Sequence, residues 1–188
     1  MTLTRLGPEN YTDMPWKNGG GVTRELLRLP HPSRPEAFLA RLSIATVAQS
    51  GPFSAFPGID RTIMLLDGAG MALAVGGAPE VIIGQTWQPF AFSGDAVTEC
   101  RLLAGAVRDF NLMVARDTAS AEFEVVTLAN GQSRAVAGGD VVLAYGLAGA
   151  LVLQGETLEP ETTLWGEVSG DVTLTGEGVA VLIRLHRR

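Results

Sequence analysis

Four short segments place polar residues where an otherwise apolar chain gives them little structural reason to be. The first runs Pro15, Trp16, Lys17, Asn18, Gly19, Gly20, Gly21, Val22, Thr23, Arg24, Glu25. A flat ring, a cation and an amide precede three glycines, which let backbone approach a ligand or a neighbouring strand closely. It is not a phosphate loop, because the lysine comes before the glycines instead of after them. Lys17 is the only lysine, set against thirteen arginines, and marks a position suited to an ammonium; the alternative is a solvated surface cation. The second segment, from Ser50 to Arg61, is studded with glycine and proline and carries Phe53, Ser54 and Phe56 before Asp60 and Arg61. An arginine at the mouth of a barrel can take a carboxylate on two parallel N–H groups; the competing reading pairs it with Asp60 on the surface.

The third segment spans Ala106 to Arg116. Strand alternation puts Asp109, Asn111 and Met113 on one face and Phe110, Leu112 and Val114 on the other. An inward-facing Asp109–Asn111 pair is costly to bury without partners, so that orientation would mark a site, and the outward one an exposed edge strand. In the fourth segment, Arg41 and Ser43 alternate with Leu42 and Ile44. On the same cavity wall Arg41 becomes a third cation beside Lys17 and Arg61; on a solvent-facing sheet it is ordinary surface.

Metal and nucleophile chemistry find little footing. The two histidines, His31 and His186, are far apart and neither has a second ligand nearby, so no imidazole metal site and no cofactor is expected. Cys100 is a lone cysteine in a strand pattern with no histidine beside it, and no G-x-S-x-G elbow occurs. No residue is assigned a catalytic role.

Composition narrows the partners. The chain has 188 residues, 46% of them hydrophobic and 18% charged, with 23 glycines and a net charge of −6. That describes a compact globular protein and opposes nucleic-acid binding, which needs clustered cations. Charge is uneven: residues 1–61 hold seven cations and five acids, residues 62–188 seven and fifteen, so an anion is drawn to the N-terminal third. The N-terminus lacks the apolar run of a signal peptide, and the most apolar stretch, Val141 to Leu153, is short and interrupted by glycine. The expectation is a cytoplasmic protein without a membrane segment; a homodimer is left open.

The elements that would position these residues are strands. Short β-branched and apolar runs bounded by Gly, Pro, Asp and Asn predict strands over 22–29, 38–47, 61–66, 71–75, 81–83, 90–92, 97–103, 110–116, 122–128, 141–144, 151–153 and 179–186. Landmarks recur in order. The run from Ile63 to Gly68 is echoed from Val141 to Gly146, Gly84 to Pro89 (G-x-T-x-x-P) by Gly155 to Pro160, and Ser93-Gly94-Asp95 by Ser169-Gly170-Asp171. The length difference falls at the turn-forming Gly76 to Pro79. Duplication, set against chance recurrence of common turn chemistry, predicts an all-β chain of two double-stranded β-helix (jelly-roll) barrels, 1–116 with the pocket and 117–188 interlocked with it.

The combination of P-W-K-N-G-G-G-V-T-R-E, R-L-S-I-A, G-P-F-S-A-F-P-G-I-D-R and R-D-F-N-L-M, in this order, resembles the HutD/Ves family. The resemblance covers about residues 10–116 by motif. It implies a bicupin fold without the cupin metal motif and a role governing histidine utilisation, with urocanate or N-formylglutamate as candidate ligands. Its pocket motifs fall at Lys17, Asn18, Arg41, Ser54, Arg61, Asp109 and Asn111. Ala40 departs from the family, which often has tryptophan there, and bears on that side of the pocket. The preferred expectation is a non-catalytic binder of a small carboxylate metabolite, with Arg61 the principal contact. The alternatives are a metal-independent hydrolase or isomerase with Asp109 as general base, and an interaction module without a ligand.

Overall fold

The protein is described from a computed structural model, which covers residues 2–168 and 170–188. In chain order the strands are β1 (Thr4–Leu6), β2 (Thr12–Pro15), β3 (Gly21–Pro30), β4 (Phe38–Val47), β5 (Gly51–Phe53) and β6 (Ile59–Asp67). There follow β7 (Met71–Val75), β8 (Val81–Ile83), β9 (Pro89–Ser93), β10 (Thr98–Leu102) and β11 (Val107–Ala115). The last are β12 (Ala119–Val136), β13 (Gly139–Leu153), β14 (Glu156–Leu158), β15 (Thr163–Val168) and β16 (Val172–Arg187). Each run expected from alternation falls on one of these strands, except that Val97, Leu103 and Arg116 lie just beyond the ends of β10 and β11. No α-helix occurs among the described residues, and none is long and apolar enough to cross a membrane.

Two compact units emerge, Thr12–Thr118 and Met1–Tyr11 with Ala119–Arg188. The first is built from a six-stranded sheet, β2-β3-β4-β11-β6-β9, and a four-stranded sheet, β5-β10-β7-β8. Residues of both sheets share one core: Ala45, Val47, Ile63, Leu65 and Val107 from the larger, Met71, Leu73, Ile83 and Cys100 from the smaller. Their period-2 spacing turns alternate side chains to this core. Each large aliphatic group so buried contributes about 1.5–3 kcal/mol.

In the second unit a single sheet runs β1-β15-β13-β16-β12, with β14 on β13, around Leu151, Leu153, Leu164, Leu174 and Leu182. The division differs from the expected cut at 116/117 in sending the first eleven residues to the C-terminal unit. The cause is strand addition: Thr4 to Leu6 pair antiparallel with Thr163 to Trp165, and the Tyr11 hydroxyl donates to the Glu161 carbonyl at 2.8 Å.

Both units repeat one pairing scheme. Long strands of the second unit break register between Leu128 and Gln132 and between Gly146 and Ala148. The N-terminal half of β12, the C-terminal half of β16, the N-terminal half of β13 and β15 therefore pair in the order of β4-β11-β6-β9. The remaining halves with β14 pair in the order of β5-β10-β7-β8. Two sequence echoes fall on matching places. Gly68 follows β6 where Gly146 marks the break in β13, and Gly94-Asp95 joins β9 to β10 as Gly170-Asp171 joins β15 to β16; Ser169 lies outside the described residues. The G-x-T-x-x-P echo does not match. Gly84 follows β8, whereas Gly155 precedes β14, so this pair is recurrent turn chemistry and not a trace of duplication.

Candidate functional site

The central strand of the larger sheet in the Thr12–Thr118 unit is β11, flanked by β4 and β6. Asn111 lies opposite Ser43 on one side and Ile63 on the other, and Met113 lies opposite Arg41 and Arg61. Alternation therefore turns Asp109, Asn111 and Met113 to the same side as Arg41, Ser43 and Ala45, and as Arg61. This polar face lines a cavity of about 460 Å³, and Lys17, Asn18 and Ser54 line it as well. The seven residues singled out from the sequence thus converge on one cavity.

Arg61 sits deep in it. It is 6% exposed, and its guanidinium carbon lies 4.9 Å from the Phe92 ring centre, 5.5 Å from Phe56 and 5.6 Å from Phe53. Such ring faces attract the cation and exclude water from it. Arg61 Nη2 donates to Asn111 Oδ1 at 2.9 Å, and Asn111 Nδ2 donates in turn to Asp109 Oδ1. Asp109 is fully buried. Among the described residues, Arg61 Nε and Asp109 Oδ2 are buried polar atoms without a partner. Such orphans carry a desolvation penalty of about 1–3 kcal/mol each, more where charged, and most native buried polar groups avoid it.

Burial dominates both titrations. It lowers the Arg61 pKa to about 10, with Asp109 opposing and Arg41 adding to the shift, so the side chain stays a cation at neutral pH. Burial also raises the Asp109 carboxyl to about 7, against the pull of Arg61 and of the Asn111 hydrogen bond. A carboxyl poised near neutrality at a cavity wall is a mark of functional sites.

At the rim, the β2–β3 connection presents Lys17 and Asn18, both exposed. Its glycines serve the hairpin. Gly19 takes φ +71°, in the left-handed region. A Cβ at Gly21 would stand 2.3 Å from the Thr46 carbonyl oxygen and 3.1 Å from the Trp16 ring. The run thus permits close approach of another strand, the second of the two roles open from sequence. Asn18 Oδ1 accepts from the Gly20 amide at 2.9 Å, closing its own turn. Trp16 is fixed by donation from Nε1 to the Thr23 hydroxyl at 2.8 Å.

Several expectations change in detail. Arg61 lies beneath aromatic rings and not at the mouth, and Asp60 pairs with Arg116 at 2.7 Å instead of with Arg61. Arg41 is not a spare cation, because its Nε donates to Glu25 Oε2 at 2.6 Å. Ala40 does not shape the cavity: it stands next to Arg41 on β4, facing the side opposite the one that Arg41 and Ser43 line. Glu25 and Phe92 were missed. Glu25 ends the glycine motif and shares a strand face with Thr23, and Phe92 lies directly opposite Arg61; both signals need the strand pairing.

No group of three or more His, Cys, Asp or Glu side chains that could hold a metal occurs among the described residues. Arg34 Nη2 is 2.6 Å from His31 Nε2, and His186 Nε2 is 3.0 Å from Glu122 Oε1. Cys100 is buried with its sulfur 3.8 Å from that of Met71. Burial, then the nearby Asp109, pushes its thiol up to about 11, which withholds the thiolate that nucleophilic chemistry requires.

The model of the family described as HutD matches residues 8–183. A Pseudomonas putida protein described as an uncharacterized 21.2 kDa protein in the hutC 3' region is 46% identical over 113 residues. That similarity spans 60% of this chain and 58% of the P. putida protein, less than two thirds of its length. Protein Ves of Cronobacter sakazakii is 39% identical over 153 residues, 80% of this chain and 79% of its own. The structure of HutD from Pseudomonas fluorescens SBW25 (formate condition) is similar over 100% of both chains, with 36% identity and a TM-score of 0.88. An oxalate decarboxylase of Bacillus subtilis, 7% identical with a TM-score of 0.68 over 97% of this chain and 76% of its own, shares the cupin fold alone. From the match over nearly the whole length, the chain belongs to the HutD family, a bicupin family associated with histidine utilisation.

Proposed function

We propose that the cavity of the Thr12–Thr118 unit binds a small carboxylate metabolite without transforming it, and that binding modulates histidine catabolism. The observation that carries this reading is the pair of orphaned atoms at its floor: a guanidinium N–H and a carboxyl oxygen, both buried and both without a protein partner. A ligand group between them supplies the missing contacts. The cavity, about 460 Å³, falls in the range of small-molecule sites, and the cations at its floor and rim focus potential on an anion. Urocanate and N-formylglutamate are the ligands that the family association suggests.

Calorimetric titration with both compounds tests the reading. Arg61→Ala is expected to weaken binding by roughly ten- to a hundredfold, since a hydrogen bond to a charged group contributes about 1.5–3 kcal/mol. Equal affinity in wild type and variant overturns it. One observation favours a second reading: Asp109 lines the cavity, and its carboxyl, raised to about 7, has the titration range of a general base. Product formation from either compound, abolished by Asp109→Asn, decides for that reading.

A further inference from the structure

The hydrogen-bond chain at the floor fixes where a proton on Asp109 must sit. Asn111 Oδ1 accepts from Arg61, so the amide of Asn111 turns its Nδ2 to Asp109 Oδ1. An amide N–H can only donate. Asp109 Oδ1 is thereby committed as an acceptor, and a proton on this carboxyl resides on Oδ2, the unpartnered oxygen of a fully buried group. Among the described residues, the surroundings supply one cation at this depth that no carboxylate holds in an ion pair. Arg61 comes from β6, Arg41 from β4 is held by Glu25 from β3, Lys17 stands exposed in the β2–β3 connection, and the Cys100 thiol from β10 keeps its proton. One guanidinium facing two ionised carboxylates, its own neighbour and a ligand's, leaves a net negative charge in a site shielded from water. Carboxylates placed together in such sites share a proton instead.

We propose that the cavity takes up its anion together with one proton, so that Asp109 becomes a neutral acid whose Oδ2–H donates to the ligand carboxylate while Arg61 Nε–H donates to the same group. The proton comes from solvent, the only bond formed is O–H on Asp109, and the ligand enters and leaves unchanged. This rests on the carboxylate-binding reading above and adds the binding role of Asp109. It also gives the site a selectivity: an acceptor-only carboxylate satisfies both donors, whereas a group that presents only N–H does not.

The test is calorimetric titration of the full chain with N-formylglutamate, which does not titrate near neutrality, in buffers of different ionisation enthalpy. With Asp109 poised at about 7, uptake of about 0.9 proton per ligand is expected at about pH 8 and about 0.1 at about pH 6. Affinity should fall about tenfold per pH unit above neutrality. Asp109→Asn, whose amide can donate from the same place, should bind with no proton uptake and with pH-independent affinity. Binding by wild type without proton uptake at about pH 8 overturns the proposal and leaves carboxylate binding standing. Absence of saturable binding at both pH values overturns the carboxylate reading and this one with it.

Discussion

Replacing Asp109 by asparagine should make the protein more stable at neutral and alkaline pH. The carboxyl ordinarily titrates at 3.8 and is raised to about 7 in the fold, by burial first, with Arg61 and Asn111 opposing. A folded-state value above the unfolded one means that the native state holds the proton more tightly. The contribution of this group is therefore fully present below about pH 4 and is lost as pH rises through about 7. Three units at about 1.4 kcal/mol each set an upper figure of about 4 kcal/mol for the cost of ionising Asp109 in place. Asparagine keeps an acceptor for Asn111 but leaves a buried amide donor without a partner where Oδ2 stood, which returns about 1–2 kcal/mol of that gain. The net expectation is a variant more stable by about 2–3 kcal/mol at about pH 8 and less stable by about 1–2 kcal/mol below about pH 4, with the sign changing near about pH 5. Urea unfolding across this range, followed by tryptophan fluorescence, measures the difference. A variant less stable than wild type at about pH 8, or a difference that does not change with pH, would refute the reasoning.

Two further outcomes follow from the packing around the site. Gly21→Ala drives a methyl group against the Thr46 carbonyl and the Trp16 ring and should cost on the order of 1–3 kcal/mol, read as a lowered urea midpoint; unchanged stability would show that the hairpin can shift without cost. Cys100 should resist thiol-specific alkylation at neutral pH in the folded protein and react on unfolding, since burial both covers it and raises its thiol to about 11; labelling of the native chain at the rate of a free thiol would contradict this.

The polar faces were legible because strand alternation is a local rule. Asp109 and Asn111 alternate with Phe110 and Leu112, and Arg41 and Ser43 with Leu42 and Ile44, so two walls of the cavity could be read from single strands. What the rule leaves open is depth and partnership. Arg61 was expected at the mouth because it follows a glycine- and proline-rich loop, yet its burial depends on Phe53, Phe56 and Phe92, three rings brought together by β5, the following loop and β9. The neutralisation of Arg41 by Glu25 depends on the pairing of β3 with β4, a long-range fact. The unit boundary was missed for the same reason: three residues, Thr4 to Leu6, carry no sign in themselves that they will join β15. Repeated turns were informative only where they joined equivalent strands. The S-G-D turns do so over their described residues, whereas the two G-x-T-x-x-P runs start from non-equivalent strand ends, after β8 and before β14.

The most direct measurement is a crystal structure of the protein soaked with N-formylglutamate or urocanate. The account predicts a carboxylate in the cavity of the Thr12–Thr118 unit, with one oxygen at hydrogen-bond distance, about 2.7–3.2 Å, from Arg61 Nε and from Asp109 Oδ2. Both atoms lack a protein partner and should have one in the complex. A ligand seated elsewhere, or one in the cavity that leaves Arg61 Nε and Asp109 Oδ2 unpartnered, would contradict it.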